Sequence, residues 1–287
     1  VPVSVNDRTR FIYEAACCGL RDFFVKNGYK KACVGVSGGI DSAVVACLAV
    51  AALGAENVRG LMMPSQFSSE GSVEDAKQLA ENLGIEFHVV PITEAYRSIV
   101  DTLIPVIGGT DFDATEENIQ SRIRTLMLMA LQNKNGYVLL NCSNKSENAL
   151  GICTLYGDTG GAFSVTGDLY KTEMYDLARY INRKFGAPIP ENILTKEPSS
   201  ELRPNQKDSD MLPSYEVVDA ILYRLIEDGQ SREEIINAGF DSDEVQKIYA
   251  MVMRNEKKRF QYPPVLRLSS SSFGHEYRMP LTHKYVK

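Results

Sequence analysis

Ala32-Cys33-Val34-Gly35-Val36 runs straight into Ser37-Gly38-Gly39-Ile40-Asp41-Ser42, and Ala43-Val44-Val45-Ala46-Cys47-Leu48-Ala49-Val50-Ala51-Ala52-Leu53 follows without a polar interruption. A short apolar run, a glycine pair and a longer alanine-rich run spell strand, tight turn and helix start. Adjacent glycines let the backbone take positive φ and approach a ligand, and the free N–H groups of the first helical turn then face that ligand with the helix dipole behind them. Such a turn suits phosphate. Ser37 and Ser42 add hydroxyl donors, and Asp41 can hold a divalent metal. The stretch lacks the Lys and the spacing of G-x-x-x-x-G-K-[ST], which separates it from the kinase and GTPase loop. A strand followed by two glycines is also a common α/β connection, and Asp or Ser at a helix start is often only a cap, so the rest of the chain has to decide.

On either side of this stretch, strands and helices alternate. Phe11, Ile12, Ala15, Ala16, Leu20, Phe23 and Phe24 form a helical stripe over 10–27, closed by Gly28. Residues 58–63 read as a second strand, Ser72 with Asp75 opens a helix that Gly84 ends, and 85–92 read as a third strand. A long helix begins near Thr115 and leads to a strand at 137–142. This order predicts an α/β fold, a doubly wound parallel sheet with ligands at the carboxyl ends of its strands. After Tyr156 comes a Gly/Asp/Thr-rich loop to Asp168, a helix over 171–185, a polar stretch over 196–210, and helices at 215–228, 231–237 and 241–256. The chain thus divides into a nucleotide-binding core, 1–195, and a C-terminal helical extension and tail, 196–287. By composition alone the tail from Tyr262, with Pro263-Pro264 and four successive serines, reads as a disordered end.

Composition narrows the function classes. The 287 residues are 44% hydrophobic and 24% charged, enough for a sizeable core, and the net charge of −6 leaves no basic surplus for nonspecific nucleic-acid binding. The six cysteines sit in apolar contexts without C-x-x-C and read as reduced thiols; the three histidines form no zinc or triad spacing. Neither a signal region nor a membrane-spanning run is visible, so the cytoplasm is the expected location.

Three further clusters carry chemistry. In Glu117-Asn118-Ile119-Gln120-Ser121-Arg122-Ile123-Arg124, Asn118, Arg122 and, nearly, Ser121 and Arg124 fall on adjacent helical faces that could grip phosphate or carboxylate, although an Arg-rich turn is often only a solvated surface. Asn141-Cys142-Ser143-Asn144-Lys145-Ser146-Glu147 follows a strand, where a carboxylate beside the phosphate turn is placed to be a second metal ligand. Asp168-Leu169-Tyr170-Lys171-Thr172-Glu173 starts a helix with a cation, which the dipole disfavours unless an anion lies close.

The Ser37–Ser42 turn resembles the SGGxDS loop of ATP pyrophosphatases. With Glu117 to Arg124, Asn144 to Glu147, Leu155-Tyr156-Gly157-Asp158, Asp168 to Thr172, Lys196-Glu197-Pro198-Ser199-Ser200-Glu201-Leu202-Arg203-Pro204, Arg259 to Pro264, Ser272 to Gly274 and Arg278 to Pro280, the chain resembles NAD synthetases over nearly its whole length, specifically the synthetase domain of the glutamine-dependent type. The resemblance implies an adenine nucleotide alpha hydrolase-like (Rossmann-like) fold, an ordered tail, and ATP-dependent amidation of deamido-NAD to NAD through an acyl adenylate. By motif, Ser37, Gly38, Gly39, Asp41, Ser42, Cys142, Lys171 and Ser199 would bind ATP, and Asp41 and Lys171 would be catalytic. Asp41 and Glu147 would hold Mg2+, and Asn118, Arg122, Glu147, Leu155, Asp158 and Lys258 would face deamido-NAD. At position 142 many ammonia-dependent members carry Thr. Glutamine-dependent members carry an amidase domain ahead of the synthetase domain, whereas this chain begins at Val1; a separated domain with a glutaminase partner and direct use of ammonia are both open. A two-fold homodimer is expected, using the nearly continuous apolar helix 123–131. A GMP synthetase, a tRNA-modifying adenylase and a nucleotide-binding module without turnover are the competing readings; net acidity argues against tRNA.

Overall fold

A computed structural model of the chain describes residues 5–109 and 111–284. In chain order the elements are α1 (Val5–Asn27), β1 (Lys31–Gly35), α2 (Ile40–Leu53), β2 (Val58–Met62), α3 (Glu70–Leu83), β3 (Glu86–Val89), α4 (Thr93–Ile107), α5 (Ala114–Asn135) and β4 (Tyr137–Asn141). There follow α6 (Lys145–Leu150), β5 (Phe163–Ser164), α7 (Lys171–Phe185), α8 (Glu191–Thr195), α9 (Tyr215–Ile226), α10 (Arg232–Asn237), α11 (Ser242–Arg254) and α12 (Glu256–Arg259). The five strands form one parallel sheet ordered β3-β2-β1-β4-β5. Strand order turns around between β1 and β4, and that crevice is where such sheets receive ligands.

Period-two alternation in the central strands feeds two separate cores. Ala32, Val34, Val138 and Leu140 pack under α1, α2, α3 and α7, whereas Cys33, Tyr137 and Leu139 pack under α4 and α5. A third core joins α9, α10 and α11 to Ala149 and Leu150 of α6 and to Phe273 of the tail. The tail is not loose: Ser164 N–H donates to Pro264 O at 2.9 Å, and Leu266 N–H donates to Ser164 O at 3.0 Å. The compositional reading of disorder therefore fails over 262–284, because paired backbone and a buried Phe273 anchor the segment.

Several boundaries differ from the sequence reading. α3 begins before Ser72: the extended Ser69 is its N-cap and accepts from Ser72 N–H at 3.1 Å. β3 stops at Val89, just short of Pro91. The helices α4, α6 and α8 and the two-residue β5 were not anticipated. All six cysteines are free thiols, and among the described residues no helix is long and apolar enough to cross a membrane.

Candidate active site

The turn between β1 and α2 is held by its own hydroxyls. Ser37 N–H donates to Ser42 Oγ at 3.1 Å, Ser42 Oγ donates to Gly39 O at 3.1 Å, and Gly39 N–H donates to Ser37 Oγ at 3.2 Å. Gly38 has φ +80°, and a Cβ there would lie 2.2 Å from Ser72 O, so only glycine fits. Gly39 caps α2 without a side chain, which leaves the first helical turn without a side-chain acceptor and suited to an anion.

Asp41, in that first turn, faces β4's outlet. Its Oδ1 accepts from Asn144 Nδ2 at 3.0 Å and its Oδ2 from Lys171 Nζ at 2.5 Å. Glu147 Oε1 lies 3.7 Å from the same ammonium. Asn144 also caps α6, accepting from Glu147 N–H at 3.0 Å, so one residue orients both carboxylates. Burial, then the charge of Asp41, pushes the Glu147 carboxyl well above its ordinary range. Burial opposes the charge on Lys171, but Asp41 and Glu147 outweigh it and hold the ammonium above its ordinary value. They are the anions that a cation at the start of α7 requires. When both are ionised, two carboxylates against one ammonium leave a surplus negative charge among hard oxygen donors, which a bound cation would relieve. That donor set fits Mg2+, which binds through one or two carboxylates plus substrate phosphates. Among the described residues no three His, Cys, Asp or Glu side chains gather as a larger metal cluster.

Ser37, Gly39, Asp41, Ser42, Cys142, Glu147, Asp158, Lys171 and Ser199 all line one cleft of about 330 Å³ at the carboxyl ends of β1 and β4. Ser199 belongs to the 196–210 loop and braces it from within, its hydroxyl donating to Gln206 O at 2.6 Å. Burial pushes the Cys142 thiol far up, so it stays a neutral wall. Asn118, Arg122, Leu155 and Lys258 sit instead around the neighbouring loop 151–158. Asn118 Oδ1 accepts from Thr154 Oγ1 at 2.6 Å, Arg122 Nε donates to Leu155 O at 3.1 Å, and Lys258 Nζ donates to Gly151 O and Cys153 O at 2.6 and 2.8 Å. That loop carries Asp158, whose carboxyl is pushed up to about 6 by desolvation against the hydrogen bonds from Thr154 and Ser121. Gly157 must stay small, since a Cβ would meet Ser121 Oγ at 2.3 Å.

A family model described as NAD synthase matches residues 12–262. The chain belongs to the NAD synthase family. It is 52% identical over 276 residues to the glutamine-dependent NAD(+) synthetase of Aquifex aeolicus, covering 96% of this chain and 48% of that protein. The glutamine-dependent NAD+ synthetase of Acinetobacter baumannii, solved with ADP, is similar at 40% identity and a TM-score of 0.66, over 98% of this chain and 51% of that one. An NH3-dependent NAD synthetase from Campylobacter jejuni, solved with nitrate, is similar at 30% identity and a TM-score of 0.69, over 87% of this chain and 95% of that one. The chain spans about half the length of the curated relatives it matches.

The cleft also holds Arg124, which the sequence places on a helical face able to grip phosphate or carboxylate, and Lys196 and Glu201, which have no individual role in the sequence reading. Arg124 lines it with Nε donating to Met63 O at 2.9 Å, and burial lowers its guanidinium to about 10, still charged at neutral pH. Glu201 accepts from Ser69 Oγ and Ser72 Oγ, both at 2.8 Å, and Lys196 Nζ donates to Asp75 Oδ2 at 2.8 Å, so the 196–210 loop is tied to the start of α3. The Arg124 signal was present in its helical face; the Glu201 contact had none, because it joins segments 129 residues apart.

Proposed function

We propose that the chain converts deamido-NAD to NAD with ATP and ammonia, releasing AMP and pyrophosphate. The observation that carries this is Lys171 held between Asp41 and Glu147, beside the phosphate turn at the sheet's switch point, in a member of the NAD synthase family. A nicotinate carboxylate resists ammonia because its oxygen leaves poorly. Attack of that carboxylate on the α-phosphorus of ATP expels pyrophosphate and makes AMP the leaving group; ammonia then adds to the acyl carbon and AMP departs. The chain contributes positioning and charge. The N–H groups of the α2 start and the Ser37 and Ser42 hydroxyls receive the pyrophosphate, Lys171 and Ser199 contact ATP phosphates, and Cys142 borders the nucleotide. Asp41 and Glu147 would hold Mg2+, which supplies charge neutralisation on the phosphates when bound. Asn118, Arg122, Glu147, Leu155, Asp158 and Lys258 face deamido-NAD, several of them through the loop they brace.

The ammonia comes from solution for the isolated chain and from a glutaminase domain or subunit in a larger assembly, in keeping with the glutamine-dependent relatives. A homodimer in the cytoplasm is the working form, with no nucleic-acid or membrane partner. Val106, Phe112 and Leu126, exposed at 81%, 43% and 65%, place apolar surface on and near α5 where a second copy would cover it. The test is turnover: purified chain, MgATP, ammonium and deamido-NAD should yield NAD, AMP and pyrophosphate in equal amounts. Pyrophosphate release with another carboxylate and none with deamido-NAD would overturn the reading.

A further inference from the structure

α7 starts with a buried lysine, yet its N-terminus is completed by groups from two other helices. Lys171 N–H donates to Ser146 Oγ at 2.9 Å, Thr172 N–H donates to Asp219 Oδ2 at 2.8 Å, and Ser146 Oγ donates to Asp219 Oδ1. Ser146 immediately precedes Glu147 in α6, Thr172 immediately follows Lys171 in α7, and Asp219 belongs to α9. One carboxylate therefore joins the sequence neighbours of both residues that face Asp41's side of the cleft. Ser146 is fully buried and Asp219 is 5% exposed.

A plain cap would need only a neutral oxygen. α7 also has a further local cap, Tyr170 N–H donating to Glu173 Oε2 at 3.1 Å. A buried carboxylate costs more than a hydroxyl or an amide, and burial indeed pushes Asp219 up to about 6. What the carboxylate adds is two acceptor oxygens aimed at two helices, and a negative charge where the α7 dipole and Lys171 are both positive.

We propose that Asp219 is a positioning residue of the reaction: by clamping α6 and α7 to one carboxylate it sets the separation of Glu147 and Lys171, 3.7 Å between Oε1 and Nζ. Asp219 of α9 thereby tunes a cleft that it does not itself line. The inference rests on the functional reading above. Asp219→Asn keeps volume and one acceptor oxygen, so the variant should unfold cooperatively while kcat falls about tenfold or more and KM for ATP and deamido-NAD stays within about threefold of wild type. Ser146→Ala should lower kcat in the same direction, and the double variant should fall no further than Asp219→Asn alone, because both act through one link. Turnover by Asp219→Asn within about twofold of wild type, or a loss carried by KM instead of kcat, overturns the proposal. Should Asp219→Asn fail to fold, Ser146→Ala decides by the same split. If wild type itself makes no NAD, the functional reading falls alone, and crystals of wild type and Asp219→Asn decide this one: a lengthened Lys171 to Glu147 separation supports it, and an unchanged one overturns it.

Discussion

Asp41 does two jobs that one substitution separates. It balances Lys171 and accepts from Asn144, and its charge raises Glu147. In Asp41→Asn the ammonium keeps Glu147 as counter-ion, and Glu147 loses a repulsive neighbour, so the fold should survive. A carboxylate that would hold Mg2+ against the phosphates is lost, and turnover should drop by about a hundredfold or more. Thermal unfolding measured beside the rate assay checks this; near wild-type turnover would leave Asp41 as a helix-start acid only. Gly38→Ala should cost more than about 1 kcal/mol, because φ +80° and the 2.2 Å approach to Ser72 O both exclude a Cβ. Denaturant titration reads that loss. Asp219 has a pH signature with a definite sign. Its folded value, pushed up to about 6, exceeds the unfolded range near about 3.9, so its stabilising contribution is complete below the unfolded value and is lost as pH rises through about 6. A stability profile from pH about 4 to about 7 should therefore flatten in Asp219→Asn relative to wild type, while parallel profiles would refute the shift.

At the scale of elements, α6 is the hinge-pin of the site and is itself locked by charge. Lys145 is fully buried, 2.9 Å from Asp168 and in contact with Glu227, and its ammonium donates to Ser269 Oγ at 2.7 Å and Ser271 O at 3.1 Å. Asp168 in turn accepts from Leu268 and Ser269 N–H, both at 2.7 Å. One buried cation thus connects α6, the start of α7, the end of α9 and the tail. Replacing it by an apolar residue of similar size leaves two carboxylates buried without their counter-ion, so Lys145→Met should destabilise by about 3–5 kcal/mol. Limited proteolysis should then cut first near 268–271, and denaturant curves should give the loss; a variant as stable as wild type would refute this role of the buried cation.

For the whole molecule the two open quantities are copy number and nitrogen source. Sedimentation or light scattering should report a dimer, and Leu126→Glu should shift it toward monomer by placing a charge on the exposed apolar part of α5; a wild-type monomer at micromolar concentration refutes the proposed interface. A glutaminase needs an activated thiolate. Burial pushes Cys33 and Cys47 up to about 12, Cys153 up to about 11, and Cys17 and Cys142 upward as well, the opposite of activation. The isolated chain should use ammonia and not glutamine, with turnover at fixed total ammonium rising with pH as the unprotonated fraction grows. Glutamine-supported NAD formation by the pure chain would contradict this.

Local signals made the phosphate turn legible from its residues. A strand, two glycines and a helix start are specified within about fifteen neighbouring residues, and the alternation of long periodic segments predicts the parallel sheet. Asn144, Glu147 and Lys171 were visible as motif members for the same reason, and so was the third-core helix pattern of α9 to α11. Two-residue β5 has no room for a period and left no such trace, and the fifteen-residue α4 carries Pro105 inside it, which argues locally against a helix. Who meets whom was decided only in three dimensions. β4 lies beside β1 although 101 residues separate Gly35 from Tyr137 in the chain's numbering, and other contacts between segments remote in sequence join Lys171 to Asp41, Glu201 to Ser69, and Asp219 to Ser146 and Thr172. Periodicity reports which face of an element is buried; strand order and the satisfaction of buried charges determine which side chains share that interior.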